Sequence, residues 1–141
     1  MNSITIKTSS DIEKIEALRK EVFGLDMESS YYSDKLLNKK ELAIATFDQE
    51  KIVAGVYVHA FESTLVIDQL FVKKEYQNTG LKLGRNLLNF LKENKELIEA
   101  FFDAKLNVMT IESKNEKARS IYAKSGFRES KRDNDVFYKS L

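Results

Sequence analysis

Leu65-Val66-Ile67-Asp68-Gln69-Leu70-Phe71-Val72-Lys73-Lys74-Glu75-Tyr76-Gln77-Asn78-Thr79-Gly80-Leu81-Lys82-Leu83-Gly84-Arg85-Asn86-Leu87-Leu88 changes its period part-way along. It opens as an apolar, β-branched strand and passes through a polar loop that carries Gly80 and Gly84. Apolar residues then return at Leu83, Leu87, Leu88 and Leu91, the spacing of a helix face. A strand, a glycine-bearing loop and a helix start together make a place for an anion. The first-turn N–H groups of a helix lack intrahelical partners, and the helix dipole adds partial positive charge there. Glycine lets the backbone approach a ligand closely. A connection of this kind also carries glycine for turn geometry alone, so the stretch by itself supports both readings.

Working outward, Leu42–Phe47, Ile52–Phe61 and Thr64–Lys73 read as strands separated by short polar turns, Asp48–Lys51 and Glu62–Ser63. Short turns between β-rich runs predict antiparallel neighbours, a meander that feeds the opening stretch. His59 lies in the middle run and is either a packed strand residue or a catalytic one. Upstream, Ile4–Lys7 alternates as a short strand. Ile12, Ile15, Ala17, Leu18, Val22 and Phe23 then trace one face of a helix, capped by Ser9 or Ser10 and stopped by Gly24. Leu25–Ser33 reads as a loop, followed by a short helix over Asp34–Lys39 with Ser33 as its cap. Tyr31 and Tyr32 in that loop either pack at the domain periphery or line a substrate cleft.

Downstream, the helix that begins near Gly84 runs to about Asn94. Lys95–Lys105 either continues it with a bend or forms a second helix. Asn107–Ser113 is strand-like, which predicts a βαβ crossover beside Leu65–Val72. Asn115 caps a last helix through Tyr122 and Lys124, with Gly126 at its end. Phe127–Lys131 and Val136–Leu141 close the chain as two strands. The order predicts a single α/β domain over residues 1–141, a mixed sheet flanked by helices.

Composition narrows the function. The 23 basic and 22 acidic residues nearly cancel, which argues against a nucleic-acid field. Cysteine is absent, and His59 is the one histidine, so the sequence offers no thiolate metal site and no histidine cluster; the expectation is no metal. No apolar run has bilayer-spanning or signal-peptide length, so a soluble cytoplasmic protein is expected, without membrane partners.

Asn115-Glu116-Lys117-Ala118-Arg119-Ser120-Ile121-Tyr122-Ala123-Lys124-Ser125-Gly126-Phe127 resembles the N-x-x-A-x-x-x-Y-x-x-x-G-F run of the GNAT superfamily of acetyl-CoA-dependent N-acetyltransferases, with every fixed position filled. Taken singly, Asn115 is a good cap in any protein, and Ala118, Ile121 and Tyr122 could be plain packing. The joint spacing carries the resemblance, which covers nearly the whole chain and is weakest before Leu42. The opening stretch resembles the family's Q/R-x-x-G-x-G/A loop with a departure. Read from the strand, Gln77 and Gly80 fit, and Lys82 stands where Gly or Ala is usual. Read from the helix, Leu83-Gly84-Arg85 fits. The two registers differ by two residues, which implies a two-residue insertion.

The resemblance implies a mixed, mostly antiparallel sheet and transfer of an acyl group from acetyl-CoA to a primary amine, on a small molecule or a protein. It implies that Leu70-Phe71-Val72 pairs with the cofactor's pantetheine arm and that an N–H near Leu70 donates to the thioester carbonyl. By the same resemblance, the backbone of Gly80, Leu83, Gly84 and Arg85 cradles the diphosphate with Gln77, Lys82 either opposes the phosphates as a point charge or points to solvent, and Asn115 contacts the arm. Tyr122 corresponds to the family's proton donor to the leaving sulfur. Asp68, two residues before Leu70, is a candidate base if strand alternation puts it on the same face, and an exposed strand carboxylate otherwise. Glu62 and His59 are weaker candidates. The acceptor site would come from about Leu25 to Glu41, with Tyr31 and Tyr32 as candidate substrate contacts. The closing strands could also pair two subunits as a homodimer. The alternative reading is a binding or regulatory module that keeps the fold without turnover.

Overall fold

The computed structural model describes residues 1–24 and 30–141; that part of the expected acceptor segment from 25 to 29 lies outside the described residues. Seven strands form one sheet in the order β1-β2-β3-β4-β5-β7-β6. They are β1 Asn2–Thr5, β2 Leu42–Asp48, β3 Lys51–Phe61, β4 Thr64–Val72, β5 Val108–Glu112, β6 Arg128–Glu129 and β7 Val136–Ser140. The helices are α1 Ser9–Phe23, α2 Tyr31–Leu37, α3 Leu83–Glu93, α4 Lys95–Phe102 and α5 Glu116–Lys124. All neighbouring strands are antiparallel except β4 and β5, which the α3–α4 crossover makes parallel. The mixed, mostly antiparallel sheet between helices is as the resemblance implied.

Helices cover both faces. On one, Leu87, Leu88 and Leu91 of α3, Ile98 of α4 and Tyr122 of α5 pack on Leu65, Ile67, Met109 and Ile111. On the other, Ile12, Ile15 and Leu18 of α1 and Leu36 of α2 pack on Ala43, Ala45, Tyr57 and Phe71. Burying these apolar stripes is the main favourable contribution to folding.

Local departures from the sequence reading have local causes. Thr8, rather than Ser9 or Ser10, caps α1, its hydroxyl accepting from the Asp11 N–H at 3.1 Å. Gly24 ends α1 in the left-handed region at φ 63°, where a Cβ would cost most other residues about 1–2 kcal/mol. The short helix starts at Tyr31 and not at Asp34, so Tyr31 and Tyr32 are helical. Ser33 does not cap it; its hydroxyl donates to Glu16 at 3.4 Å, which binds the first turn of α2 to α1. Asn94 divides α3 from α4, its side-chain amide donating to the Phe90 carbonyl at 2.9 Å.

One irregularity matters most for the site. Across β3 and β4, Tyr57 pairs with Gln69 and Val58 with Ile67, so Asp68 is an extra residue in the ladder. Alternation therefore breaks at Asp68. Leu65 and Ile67 face the α3 side of the sheet, and so do Leu70 and Val72. The expectation that Asp68 shares a face with Leu70 is corrected: the bulge turns Asp68 to the other side, toward His59.

Candidate active site

β4 and β5 stay together for Thr64–Ile67 against Val108–Ile111 and then part. A cavity of about 690 Å³ fills the gap, a volume in the range of small-molecule sites. One wall is β4 from Asp68 to Val72, and the other is the end of β5 with α5. Gln77, Gly80, Lys82 and the first turn of α3 close one end, and Val22 and Phe23 of α1 also line it.

At the α3 end the backbone is arranged for an anion. Lys82 precedes the helix in the left-handed region at φ 53°, with no side-chain cap on the free amides that follow. A Cβ on Gly84 would lie 3.8 Å from Val72 and 3.9 Å from Leu70, so the helix start sits close over β4. Lys82, Arg85, Lys117 and Lys124 bring positive charge to the lining. The Lys139 ammonium nearby is pushed down by burial and by Lys92 and Arg85. The Gln77 side chain has a structural task as well, donating to the Val72 carbonyl at 2.9 Å.

On the α5 wall, Asn115 caps the helix by accepting from the Ala118 N–H at 3.1 Å. This fixes the rotation of α5 and so the direction of Tyr122. Tyr122 is buried between the rings of Phe127 and Phe137, at 6.2 and 5.7 Å, and reaches the cavity. Burial raises its phenol pKa, partly offset by a hydrogen bond with Ser113. It is therefore a neutral O–H donor at neutral pH.

Asp68 reaches the same cavity from β4. Its Oδ2 lies 2.5 Å from His59 Nδ1, and Glu41 Oε1 lies 3.7 Å from the same nitrogen. Glu41 is 2% exposed. Burial, followed by the hydrogen bond and charge of Asp68, pushes its carboxyl up to about 9. Its Oε2 meets no hydrogen-bond donor among the described residues. With both acids ionised that oxygen is unsatisfied; a proton or another cation between them satisfies it.

Tyr32 stands beside this pair. Its phenol is pushed up to about 12 by burial and by the charges of Asp68 and Glu41. A buried network holds it: Arg19 Nε donates to Glu16 Oε2 at 2.6 Å, the Tyr57 hydroxyl donates to the same oxygen at 2.6 Å, and Arg19 lies over the Tyr32 ring at 4.8 Å. Tyr31 is turned outward, its hydroxyl accepting from Lys35 at 2.6 Å. Neither tyrosine lines the cavity, nor do the weaker base candidates Glu62 and His59; the other expected site residues all do. Sequence reading missed Glu41, Glu16 and Arg19 as polar groups of the interior. Only the helical position of Glu16 and Arg19 among Ile12, Ile15 and Leu18 hinted at them.

A family model described as an acetyltransferase (GNAT) domain matches residues 7–137. The chain belongs to the GNAT acetyltransferase family. Among solved structures, the GNAT domain is similar to the PaiA N-acetyltransferase of Thermoplasma acidophilum in complex with coenzyme A, at 20% identity and TM-score 0.71 over 100% of both chains. It is similar to a GNAT-family acetyltransferase of Staphylococcus aureus Mu50, at 20% identity and TM-score 0.67 over 99% of both chains. It also resembles the ribosomal-protein-S18-alanine N-acetyltransferase of Escherichia coli, at 16% identity and TM-score 0.73, over 99% of this chain and 92% of that one. At these identities the likeness shows the fold. Among curated protein sequences, none matches the GNAT domain significantly. No helix among the described residues is long and apolar enough to cross a membrane.

Proposed function

We propose that this GNAT domain transfers an acetyl group from acetyl-CoA to a primary amine by direct attack. The observation that carries the reading is the parting of β4 from β5. It brings the unpaired side of Leu70–Val72, the α3 amides and the Tyr122 hydroxyl onto one cavity. Coenzyme A fits these groups. Its diphosphate suits the free amides of Leu83 to Arg85 and the charges of Lys82 and Arg85. Its amide-bearing arm suits an open strand. The thioester supplies an activated acyl group with a thiolate leaving group.

The chain's residues then have distinct tasks. Asp68 takes the proton that the ammonium form of the acceptor must lose, with His59 bonded behind it. A backbone N–H near Leu70 donates to the carbonyl oxygen as charge builds on it. As the C–N bond forms and the C–S bond breaks, the bonded nitrogen sheds its second proton to water, Tyr122 gives its proton to the sulfur and recovers one from solvent, and Asp68 passes the first proton to solvent. The chain has no cysteine for a thiol acyl-enzyme, and holding both reactants in one cavity is sufficient for direct transfer. Of the two tyrosines, Tyr32, beside Asp68 and Glu41, is the better candidate to meet an acceptor, since Tyr31 is turned to solvent.

A thiol-release assay with acetyl-CoA across a panel of small amines and peptide N-termini tests the reading. Turnover with at least one amine class is expected. Cofactor binding without thiol release from any amine would instead support the non-catalytic module.

A further inference from the structure

We propose that Glu41, His59 and Asp68 form a Zn²⁺ site, with one oxygen from each acid and the imidazole Nδ1 as protein ligands and water on the open side. The ligand atoms come from three adjacent strands or their ends. Leu42 pairs with Val58, which sets Glu41, one residue earlier, opposite His59. Asp68 is the bulged residue of β4 that the ladder turns toward them. The three donor atoms lie within 4.8 Å of one another. Zinc bound to nitrogen and oxygen at roughly 2.0–2.2 Å in a tetrahedron needs donors roughly 3.3–3.6 Å apart. The His59 separations of 2.5 Å to Asp68 and 3.7 Å to Glu41 bracket that spacing, so small side-chain rotations close the set.

The second, independent observation is the orphaned oxygen. Glu41 is 2% exposed, and its Oε2 has no hydrogen-bond donor among the described residues. A buried carboxylate oxygen without a donor costs folding free energy, and a cation in place of a proton shared with Asp68 removes the cost. Imidazole with carboxylates is a donor set that suits zinc. His59 is one-third exposed at its side chain, which leaves an entry path and room for water. The expectation of no metal followed from residue types; here the fold adds two carboxylates to the one histidine. Zinc on Asp68 would also stop it accepting a proton, an inhibitory consequence that rests on the function proposed above.

The composition makes the test clean. Without cysteine, and with His59 as the sole histidine, tag-free protein has one imidazole to report. Titration with ZnCl₂ by calorimetry, without coenzyme A, whose thiol would chelate the metal, is expected to show one site per chain. The two His59 ring C–H resonances, the sole imidazole signals in the proton NMR spectrum, are expected to shift with the same saturation. His59→Gln, at a position one-third exposed, should weaken binding at least the tenfold that even an outer partner of a metal site is worth, with the melting curve checking that the variant is folded. Glu41→Gln, of equal volume, should do likewise. No saturable binding, binding that leaves the His59 resonances unmoved, or a His59→Gln protein that binds as tightly as the parent each overturns the site. Because the readout needs neither cofactor nor turnover, its failure is separate from failure of the acetyltransferase reading.

Discussion

The Tyr57 hydroxyl donates to Glu16 Oε2 at 2.6 Å, tying the middle of β3 to the middle of α1 through a carboxylate that Arg19 also holds. Tyr57 is fully buried, and burial together with Glu16 keeps its phenol protonated well above the usual range. Tyr57→Phe keeps the ring contacts with Tyr32 and Phe71 and removes one donor from a buried carboxylate. A loss of about 1–3 kcal/mol is expected in urea denaturation. Coenzyme A affinity should stay within about threefold, since the Phe71 wall keeps its support. A variant as stable as the parent would show that Arg19 and Ser33 satisfy Glu16 without Tyr57.

Tyr122→Phe should lower kcat by roughly a hundredfold or more, the usual worth of a positioned acid, with little change in coenzyme A affinity. The ring's packing on Phe127 and Phe137 survives the change. Because the pKa of Tyr122 is raised, the group stays protonated as pH climbs through 9, and its loss falls above the ordinary tyrosine value of about 10. A kcat profile from pH 6 to 10 should thus show no alkaline limb from Tyr122. Unchanged turnover in Tyr122→Phe with a good acceptor would remove it as the acid.

Asn115 has two roles that substitution can separate. Asn115→Ala loses the cap to Ala118 and should cost about 1 kcal/mol in stability. Asn115→Ser keeps an oxygen that can cap and should recover most of that loss. If the amide also touches the cofactor, Asn115→Ser will regain stability but not coenzyme A affinity. Equal recovery of both would leave Asn115 a cap alone.

Gly55 underlies the Phe71 wall. A Cβ there would lie 2.6 Å from Cζ of Phe71 and 2.9 Å from Cδ1 of Ile15. Gly55→Ala should therefore cost about 1–3 kcal/mol by overpacking and push Phe71 toward the cavity. Weaker coenzyme A binding is expected, with partial rescue by Phe71→Leu. Melting curves and cofactor titration of the single and double variants measure both effects.

Much of this architecture can be read in the residues because it is set by local chemistry. The run Asn115–Phe127 places a cap, an aromatic and a glycine stop within one helix, and each occupies its expected position. The strand meander follows from turns of two residues between apolar runs. What could not be read depends on partners far along the chain. Ser33 leaves its capping role for Glu16, 17 positions away. The direction of Asp68 depends on how β4 registers with β3, since alternation counted back from Leu70 puts it on the face it does not take. Glu41 looks like the end of a polar segment and becomes a buried acid only when His59 and Asp68 close over it.

The parting of β4 from β5 leaves a sheet edge inside the protein. From Asp68 to Val72, β4 has β3 on one side and, among the described residues, no strand on the other. Open edges ordinarily invite pairing with foreign chains and are a route to aggregation. Here the edge is recessed in a cleft between α3 and α5, reachable by a slender extended molecule and closed to another folded sheet. Amide protons along this edge should exchange fast in the free protein and slowly with coenzyme A bound, while their neighbours in β3 change little.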